Sequence, residues 1–171
     1  MEIVQLSNNE FHTYYKGYIE RALNKPLLQG LAEGMLETHE FFDAIPEAKQ
    51  EYRYKEGKWT PKEILLHLID TERVFAYRAL QFARAKNVEI RGFDQDEFVE
   101  NSNANERTMQ HLLEEYLAVR TAQIILFSSF SEQTLQHTGI ASNSPLSVRA
   151  AGYIICGHEK HHIAIVNERY L

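Results

Sequence analysis

Residues 148–165 of this chain read VRAAGYIICGHEKHHIAI, and their spacing predicts its fold class. Six of its residues recur at alternating spacings of three and four, the pattern of the inward stripe of an α-helix in a bundle. These residues are Val148, Ala151, Ile155, His158, His162 and Ile165. We therefore predict a long helix from Pro145 to Tyr170 that packs against other helices.

Two further segments have the same helical spacing and a similar length, Pro61–Lys86 and Asn105–Phe130. Thr60 and Glu63 form a capping box around a proline, which marks the start of the first of these helices. Ser144-Pro145 marks the start of the last helix in a similar way. Both signals support the helical prediction.

Two shorter helices are predicted before these, near Asn8–Leu23 and Leu27–Ala44. No segment shows the two-residue alternation of a strand, although the link Gln50–Trp59 is compatible with an extended backbone. The sequence therefore predicts an all-α bundle.

Two links are long for a compact bundle, Ile45–Thr60 and Asn87–Ala104. The second can reach about 60 Å at about 3.4 Å per residue, more than the length of a helix. It therefore permits the helices on either side of it to run parallel. Loops of this length inside a compact domain are often functional.

The chain has 171 residues, a net charge of −6 and one cysteine. This length is near that of one domain, so we expect residues 1–171 to form a single helical domain. The acidic balance argues against a nucleic-acid partner, and no apolar run approaches the ~18 residues of a membrane span. The single cysteine, and an N-terminus without the apolar core of a signal peptide, predict a cytoplasmic protein. Cys156 is expected to be a buried thiol rather than a nucleophile.

Two positions of the last stripe are histidine, His158 and His162, and both rings face one point because they lie four residues apart. Burying two neutral imidazoles costs free energy unless their nitrogens find partners, and a divalent metal is the obvious partner. A third ligand must come from another helix, and His67 is the best candidate because apolar residues flank it. His161 lies off the stripe and is expected in solvent or at a dimer contact.

The heights of these histidines along their helices supply a test. His67 lies near the start of its helix, and His162 lies near the end of its own. The three rings lie at similar levels if the two helices are antiparallel, whereas a parallel pair would offset them by roughly 15 Å. The metal hypothesis therefore requires antiparallel packing.

The string His158-Glu-Lys-His-His162 also matches H-E-x-x-H, the motif of zinc proteases, in which Glu159 would be the general base. Those enzymes take a third ligand further downstream, and no histidine follows His162. We therefore disfavour a protease and expect Glu159 on a solvated face of the helix.

Two apolar stripes are each interrupted by one charge, Glu72 on the His67 helix and Arg120 on the next long helix. An ion pair between Glu72 and an arginine is the simpler explanation, and orientation of a ligand imidazole by Glu72 is the functional alternative. Glu63 lies one turn before His67 and has the same alternative role, but its capping box already explains it.

Three stretches follow one another along the chain: Trp59-Thr-Pro-Lys-Glu63, His67-Leu-Ile-Asp-Thr-Glu72-Arg73 and Gly157-His158-Glu-Lys-His-His162. Others are Tyr77-Arg78, the loop Gly92-Phe93-Asp94-Gln-Asp96 and the ending Glu168-Arg169-Tyr170-Leu171. This ordered set resembles the DinB-like, or YfiT-like, metalloenzymes. The resemblance covers most of the chain from Trp59 onward and, more loosely, the helices before it.

The resemblance implies a four-helix bundle in up-down-down-up order, with the first short helix as an extra N-terminal element. It implies a divalent metal, zinc or nickel being expected, that is held by His67, His158 and His162. It also implies open coordination positions and a homodimer, which is common in the family.

Characterised members of this family are thiol S-transferases or isomerases that use bacillithiol or mycothiol, and others are described as metal-dependent hydrolases. The resemblance therefore implies transfer of a low-molecular-weight thiol to a small electrophile, with hydrolysis by a metal-activated water as an alternative. A non-catalytic, metal-stapled dimer or a small-ligand-binding module is a further alternative. Candidates for binding a small-molecule substrate are Arg73, Arg78, Asp94 and Asp96, and the two loop acids have helix capping or solvation as their other explanation.

Overall fold

The computed structural model describes residues 6, 7 and 9–171. The α-helices, in chain order, are α1 (Lys16–Ala22), α2 (Leu27–Asp43), α3 (Glu47–Gln50), α4 (Pro61–Arg84), α5 (Gln95–Glu100), α6 (Met109–Ser128), α7 (Glu132–Leu135) and α8 (Val148–Arg169). Two 3-10 turns, Thr13–Tyr15 and Ala104–Glu106, and three strands, β1 (Glu89–Ile90), β2 (Thr138–Ala141) and β3 (Ser144–Ser147), complete the described elements. None of the described helices is long and apolar enough to cross a membrane.

The predicted helical bundle is confirmed, and its four long helices are α2, α4, α6 and α8. The capping box at the start of α4 is present, with reciprocal bonds between Thr60 and Glu63. The last helix begins at Val148, three residues later than predicted. The reason is a cap at Ser147, whose hydroxyl accepts a hydrogen bond from the Ala150 amide at 3.0 Å.

The N-terminal helix α1 is shorter than predicted. It begins at Lys16, directly after the turn Thr13–Tyr15, and ends at Ala22. Asn8, where the sequence predicts the start of this helix, lies outside the described residues. This extra helix packs along α8, outside the four-helix bundle.

Contacts between helix ends establish the direction of three bundle helices. The Thr60 hydroxyl donates to Asn105 Oδ1 at 2.7 Å, which brings the starts of α4 and α6 together, so these helices are parallel. The Tyr170 hydroxyl donates to the Trp59 carbonyl at 2.6 Å, which joins the end of α8 to the start of α4, so this pair is antiparallel. The link Asn87–Ala104 therefore returns along the length of the bundle.

The direction of α2 follows from its contacts with α6. Arg120 donates to the Leu31 carbonyl at 3.1 Å, and the Tyr116 hydroxyl donates to the Gly34 carbonyl at 3.3 Å. Residue numbers rise along α2 as they fall along α6, so these two helices are antiparallel. The complete order is up-down-down-up, as the resemblance implies.

A three-stranded sheet is the main departure from the prediction of helices alone. β1 pairs with β2 in parallel, and β2 and β3 form an antiparallel hairpin whose turn residues, Ser142 and Asn143, both have positive φ. Pro145, predicted as a helix start, lies in β3 opposite Ile140. Strands of two to four residues are too short to show alternation, so the sequence carried no periodic signal for them.

A polar layer divides the core of the bundle into two apolar clusters. One cluster contains the first half of α8 and the second half of α4, and the other contains the start of α4 and the end of α8. Between them lie Glu72, Arg120 and Glu159, each no more than 3% exposed. Burying these groups costs desolvation free energy, which is offset here because they pair with one another.

Candidate metal centre

Three histidine side chains meet where the first half of α4 lies against the second half of α8. His67 Nε2 lies 3.1 Å from His158 Nε2, and His162 Nε2 lies 3.0 Å from the same atom. The antiparallel packing that the metal hypothesis requires is present, so the three rings lie at one level. Among the described residues, these three offer ligand atoms that all lie within 4.8 Å of one another.

The spacing of these nitrogens suits a divalent ion. Zinc binds imidazole nitrogen at about 2.05 Å, so two ligands at a tetrahedral angle lie about 3.3 Å apart. The two observed separations, 3.0 and 3.1 Å, are close to that value. In addition, His158 Nε2 carries either a hydrogen or a lone pair, so it cannot pair well with both neighbours at once. A cation that accepts a lone pair from each ring removes this conflict.

Burial keeps the three imidazoles neutral. Burial lowers the pKa of His67 to about 4. Burial, together with the charges that His67 and His161 would carry, lowers the pKa of His162 to about 3. The pKa of His158 is also lowered by burial and by the neighbouring histidines. Neutral imidazole is the form that binds metal, so all three lone pairs are available at neutral pH.

Aromatic side chains pack against the histidines on two sides. Trp59, just before α4, lies on His67 with ring centroids 4.7 Å apart, and Tyr18 of α1 lies edge-on to His158 at 5.2 Å. Tyr18 reaches this position because α1 crosses α8 at Gly157, where even a methyl group would overlap the Tyr18 carbonyl. These rings restrict the orientations that the imidazoles can adopt.

Thr71 is the polar neighbour of His67, with its hydroxyl 3.4 Å from Nδ1 and one helical turn along α4. Glu72 makes its described hydrogen bonds to Arg120, which binds both carboxylate oxygens. Glu63 makes the capping bond and an ion pair with a neighbouring arginine. The observed contacts of Glu72 and Glu63 are thus an ion pair and a helix cap, and the alternative role of either residue in orienting a ligand imidazole stays a prediction.

Glu159 lies in the polar layer of the core, and the expectation that it is solvated is wrong. Its Oε2 accepts hydrogen bonds from Arg120 Nη2 at 2.6 Å and from the Tyr116 hydroxyl at 3.0 Å. Burial by itself would lower the pKa of Arg120, but Glu159 and Glu72 raise it well above its ordinary value, so the guanidinium is charged. Because Glu159 is bound in this cluster, it is not free to act as the base of a zinc protease.

Two cavities approach the histidines from different sides. The arginine cavity has a volume of about 130 Å³, and its lining includes Tyr18, Thr71, Phe75, Arg78, Phe93, Ser142, Ile154 and His158. The tryptophan cavity has a volume of about 240 Å³, and its lining includes Tyr54, Trp59, Asp96, His162 and Tyr170. Each cavity therefore ends at a different candidate ligand.

The four candidate substrate residues lie in different surroundings. Arg78 lines the arginine cavity and Asp96 lines the tryptophan cavity. Asp94 caps α5 by accepting a hydrogen bond from the Asp96 amide. Arg73 is exposed on α4 and forms an ion pair with Glu115 at 2.6 Å. The structure thus brings Arg78 and Asp96 near the histidines and places Asp94 and Arg73 in local structural contacts.

Two residues next to the histidines, Tyr18 and Thr71, were missed by sequence reasoning. Thr71 lies four residues after His67 on the same helix face, and that spacing could have identified it. No local pattern reports Tyr18, since its place depends on how α1 crosses α8. Cys156 is buried, and burial raises its pKa above the ordinary value, which makes it a poor nucleophile.

Comparisons with known proteins bear on both the fold and the family. A family model described as the DinB superfamily matches residues 33–166. The solved structure of YfiT from Bacillus subtilis is similar over 96% of this chain and 90% of the YfiT chain, with a TM-score of 0.76 and 16% identity. YfiT is described as a probable metal-dependent hydrolase with an unusual four-helix bundle topology. A mycothiol-dependent maleylpyruvate isomerase is similar over 82% of this chain and 60% of its own, with a TM-score of 0.67 and 11% identity. These two likenesses establish the fold. No curated protein matched the sequence.

Proposed function

We propose that this chain, which belongs to the DinB superfamily, is a divalent-metal-dependent enzyme that activates a thiol for transfer to a small electrophile. His67, His158 and His162 are the proposed ligands, with zinc or nickel as the metal. The observation that carries the proposal is the convergence of three neutral imidazole nitrogens, with His158 lining one cavity and His162 lining the other.

The number of ligands favours an enzyme over a metal-stapled bundle. Structural zinc sites are usually closed by four protein ligands, whereas catalytic sites keep a position for water or substrate. Within the described part of the chain, no fourth histidine, cysteine or carboxylate joins the cluster. A position for a reactant is therefore left open beside the three rings.

The chain supplies binding and orientation around this centre. A bound divalent ion would supply Lewis-acid activation, which lowers the pKa of a thiol or of water. Trp59 and Tyr18 pack against the ligand rings, and the Thr71 hydroxyl beside His67 Nδ1 favours one orientation of that imidazole. The paired charges of the polar layer tie α4, α6 and α8 together next to the site.

The two cavities favour transfer between two reactants. A thiol and an electrophile can approach from different sides, one toward His158 and the other toward His162. The mycothiol-dependent isomerase of the same fold is a precedent for a thiol reactant. Hydrolysis needs a single organic substrate and is the second candidate, since the same three histidines can activate water and YfiT is described as a probable hydrolase.

The metal content of purified, untagged protein tests the site. After reconstitution with zinc or nickel and desalting, we expect about one ion per chain by mass spectrometry. His158→Ala should lose the ion, and His161→Ala is the matched control because His161 is not one of the converging ligands. Wild-type protein without metal after reconstitution would refute the proposal.

The reaction class is tested separately on the metal-loaded protein. Cysteine, bacillithiol and mycothiol are each supplied with monochlorobimane, and ester hydrolysis is followed with p-nitrophenyl acetate alone. Thiol-dependent conjugation that needs His158 supports transfer, and metal-dependent cleavage without a thiol supports hydrolysis instead. If neither reaction depends on metal, the result contradicts both proposed reaction classes for these substrates and favours a binding or structural role.

The cytoplasmic location, the single domain and the homodimer that the sequence and its resemblance imply remain predictions. Light scattering of the purified protein after size-exclusion chromatography tests the dimer.

A further inference from the structure

We propose that the arginine cavity binds the carboxylate of a small substrate with a flat, apolar body, and that Arg78 holds this carboxylate. The inference deepens the proposed function and rests on it, because a substrate held in this way has its other end at the candidate metal ligands. It names a substrate class, small organic monocarboxylates, for the cavity that ends at His158.

Arg78 is a buried cation without a carboxylate partner in the described part of the chain. Its side chain is 1% exposed. Its Nη2 donates to Ser142 Oγ at 3.1 Å, and the neighbouring Tyr15 side chain also interacts with the guanidinium, but both partners are neutral hydroxyl groups and Nε has no partner among the described residues. A buried charge without a counter-ion is costly, so an anionic ligand is the natural complement of this group.

Other buried cations in the described residues are paired. Arg120 binds Glu72 through Nε and Nη2, at 2.7 and 3.0 Å, and Lys62 binds Glu51 at 2.6 Å. The Arg120–Glu72 pair shows how a carboxylate engages one edge of a guanidinium in this fold. On Arg78, Nε has no partner and is closed to solvent, and Ser142 takes one of the four hydrogens on the two terminal nitrogens, so the guanidinium retains donors for a two-bond pair with a carboxylate.

Two aromatic rings flank the Arg78 guanidinium. Its central carbon lies 4.8 Å from the centroid of Phe75 and 5.9 Å from that of Phe93. These contacts hold the planar group without neutralising its charge. Burial lowers the pKa of Arg78 while nearby Tyr15 opposes this effect, and an arginine stays charged at neutral pH even so. The cavity therefore presents a fixed positive charge among aromatic walls.

The size and the lining of the cavity select the ligand. Its volume of about 130 Å³ is close to that of an apolar cavity of about 150 Å³ that accommodates benzene. Tyr18, Phe75 and Ile154 offer flat or apolar surface to the body of the ligand. Arg78 is the one lysine or arginine among the described lining residues, so a monoanion balances the charge and a phosphate dianion does not.

The cavity orients its ligand toward the histidines. Arg78 lies eleven residues after His67 on α4, and Thr71 and Phe75 lie between them at helical spacing on the same face. Long helical side chains lean toward the N-terminus of their helix, and the guanidinium of Arg78 lies over Phe75, three residues earlier. It therefore leans toward the histidines. With the carboxylate on Arg78, the opposite end of the ligand lies at His158.

The small sheet completes this end of the cavity. The amide of Ser142 donates to the Ile90 carbonyl at 3.0 Å, which ties the hairpin turn between β2 and β3 to β1. The turn then places the Ser142 hydroxyl against Arg78. The sheet thus has a direct role in positioning the proposed anion-binding residue.

Binding of benzoate and benzamide, measured by isothermal titration calorimetry on zinc-loaded and zinc-free protein, tests the inference. The two probes have the same ring and differ in charge. We expect benzoate to bind at least tenfold more tightly than benzamide, and Arg78→Met to weaken benzoate at least tenfold while benzamide is unchanged. Arg73→Met is the matched control, an exposed arginine on the same helix, and should leave both affinities unchanged. Circular dichroism and zinc content verify that each variant is folded.

Equal affinity for the two probes, no benzoate binding to the wild type, or undiminished benzoate binding to Arg78→Met would each overturn the inference. If Arg78→Met does not fold, Arg78→Lys is used, which keeps the charge but loses the two-bond geometry and should still weaken benzoate. If benzoate binding requires zinc but not Arg78, the metal holds the carboxylate. This result would contradict the present inference and leave the proposed function standing. A chain that binds no zinc overturns the proposed function, whatever its affinity for benzoate.

Discussion

Replacing Gly157 with alanine tests the close crossing of α1 and α8 that places Tyr18 against the histidines. A Cβ atom at position 157 would lie 1.8 Å from the carbonyl oxygen of Tyr18 and 2.9 Å from its Cα. Ordinary contact begins near 3.4 Å, so the α1 backbone would have to retreat by about 1.6 Å. Backbone of a packed helix cannot swing aside as the end of a side chain can.

The sign of the effect makes this substitution informative. In a helix that nothing crosses, alanine is more favourable than glycine by about 1 kcal/mol. Forcing extra atoms into a packed contact costs about 1–3 kcal/mol, and more where backbone must move. Because backbone must move here, the upper part of this range, about 2–3 kcal/mol, applies, and after the gain of about 1 kcal/mol we expect Gly157→Ala to lower the free energy of unfolding by about 1–2 kcal/mol. For a chain of this length, that corresponds to a fall of about 2–8 °C in the melting temperature.

Urea and thermal unfolding, followed by circular dichroism, measure this change on metal-free protein. Gly17→Ala in α1 is the matched control, because a Cβ there meets nothing within 4 Å and should raise stability by up to about 1 kcal/mol. Zinc content should remain near that of the wild type, since α1 carries none of the three converging histidines. Benzoate affinity should fall, because Tyr18 lines the arginine cavity.

A Gly157→Ala variant as stable as Gly17→Ala would refute the close crossing. It would show that α1 does not rest on α8 at this point, and the aromatic wall beside His158 would then have no structural basis.

Two further predictions concern the buried charges and the histidines. Arg120→Met leaves the carboxylates of Glu72 and Glu159 buried without a cation, so we expect the free energy of unfolding, measured in urea, to fall by about 3–5 kcal/mol. The exposed control Arg73→Met should lower it by about 0–1 kcal/mol. Equal losses of stability in the two variants would contradict the pairing of buried charges in the polar layer. The stability of the metal-free protein should be full above pH 6.5 and fall toward pH 4, because the unfolded chain protonates His67 and His162 near 6.5 while the folded pKa values are about 4 and about 3. Between these pH values, His67→Asn should reduce the change in the free energy of unfolding with pH by about 1.4 kcal/mol per pH unit. An unchanged pH dependence would show that His67 is not buried in its neutral form.

Features that depend on one helix at a time were predictable from the sequence. The spacing of apolar residues identified α4, α6 and α8, and the capping box identified the start of α4. The interruptions at Glu72 and Arg120 pointed to paired charges in the core, which are present. The pair His158 and His162 was visible as two polar rings on an apolar stripe.

Features that depend on chain segments meeting were harder to predict. The partner of that pair, His67, was chosen by its apolar neighbours and by the requirement of antiparallel helices, and the structure brings the three rings together. The prediction that Glu159 is solvated was wrong, because Arg120 and Tyr116 of α6 contact it. The sequence of α8 gives no sign that this face of the helix is buried. The sheet was missed because its strands are short and its pairing joins β1 to a hairpin about fifty residues later.

The spacing of residues along the chain is enough to predict the helices, the buried charges and the histidine pair, because side chains at spacings of three and four share a face whatever packs against it. Which of these faces meet depends on how the helices pack in three dimensions. This packing placed Tyr18 beside His158 through the crossing at Gly157, and it enclosed Arg78 with an aromatic cavity instead of a carboxylate. The physical reason is that helix crossings and loop docking depend on contacts between residues far apart in the chain, and a helical period carries no information about the partner that covers each face.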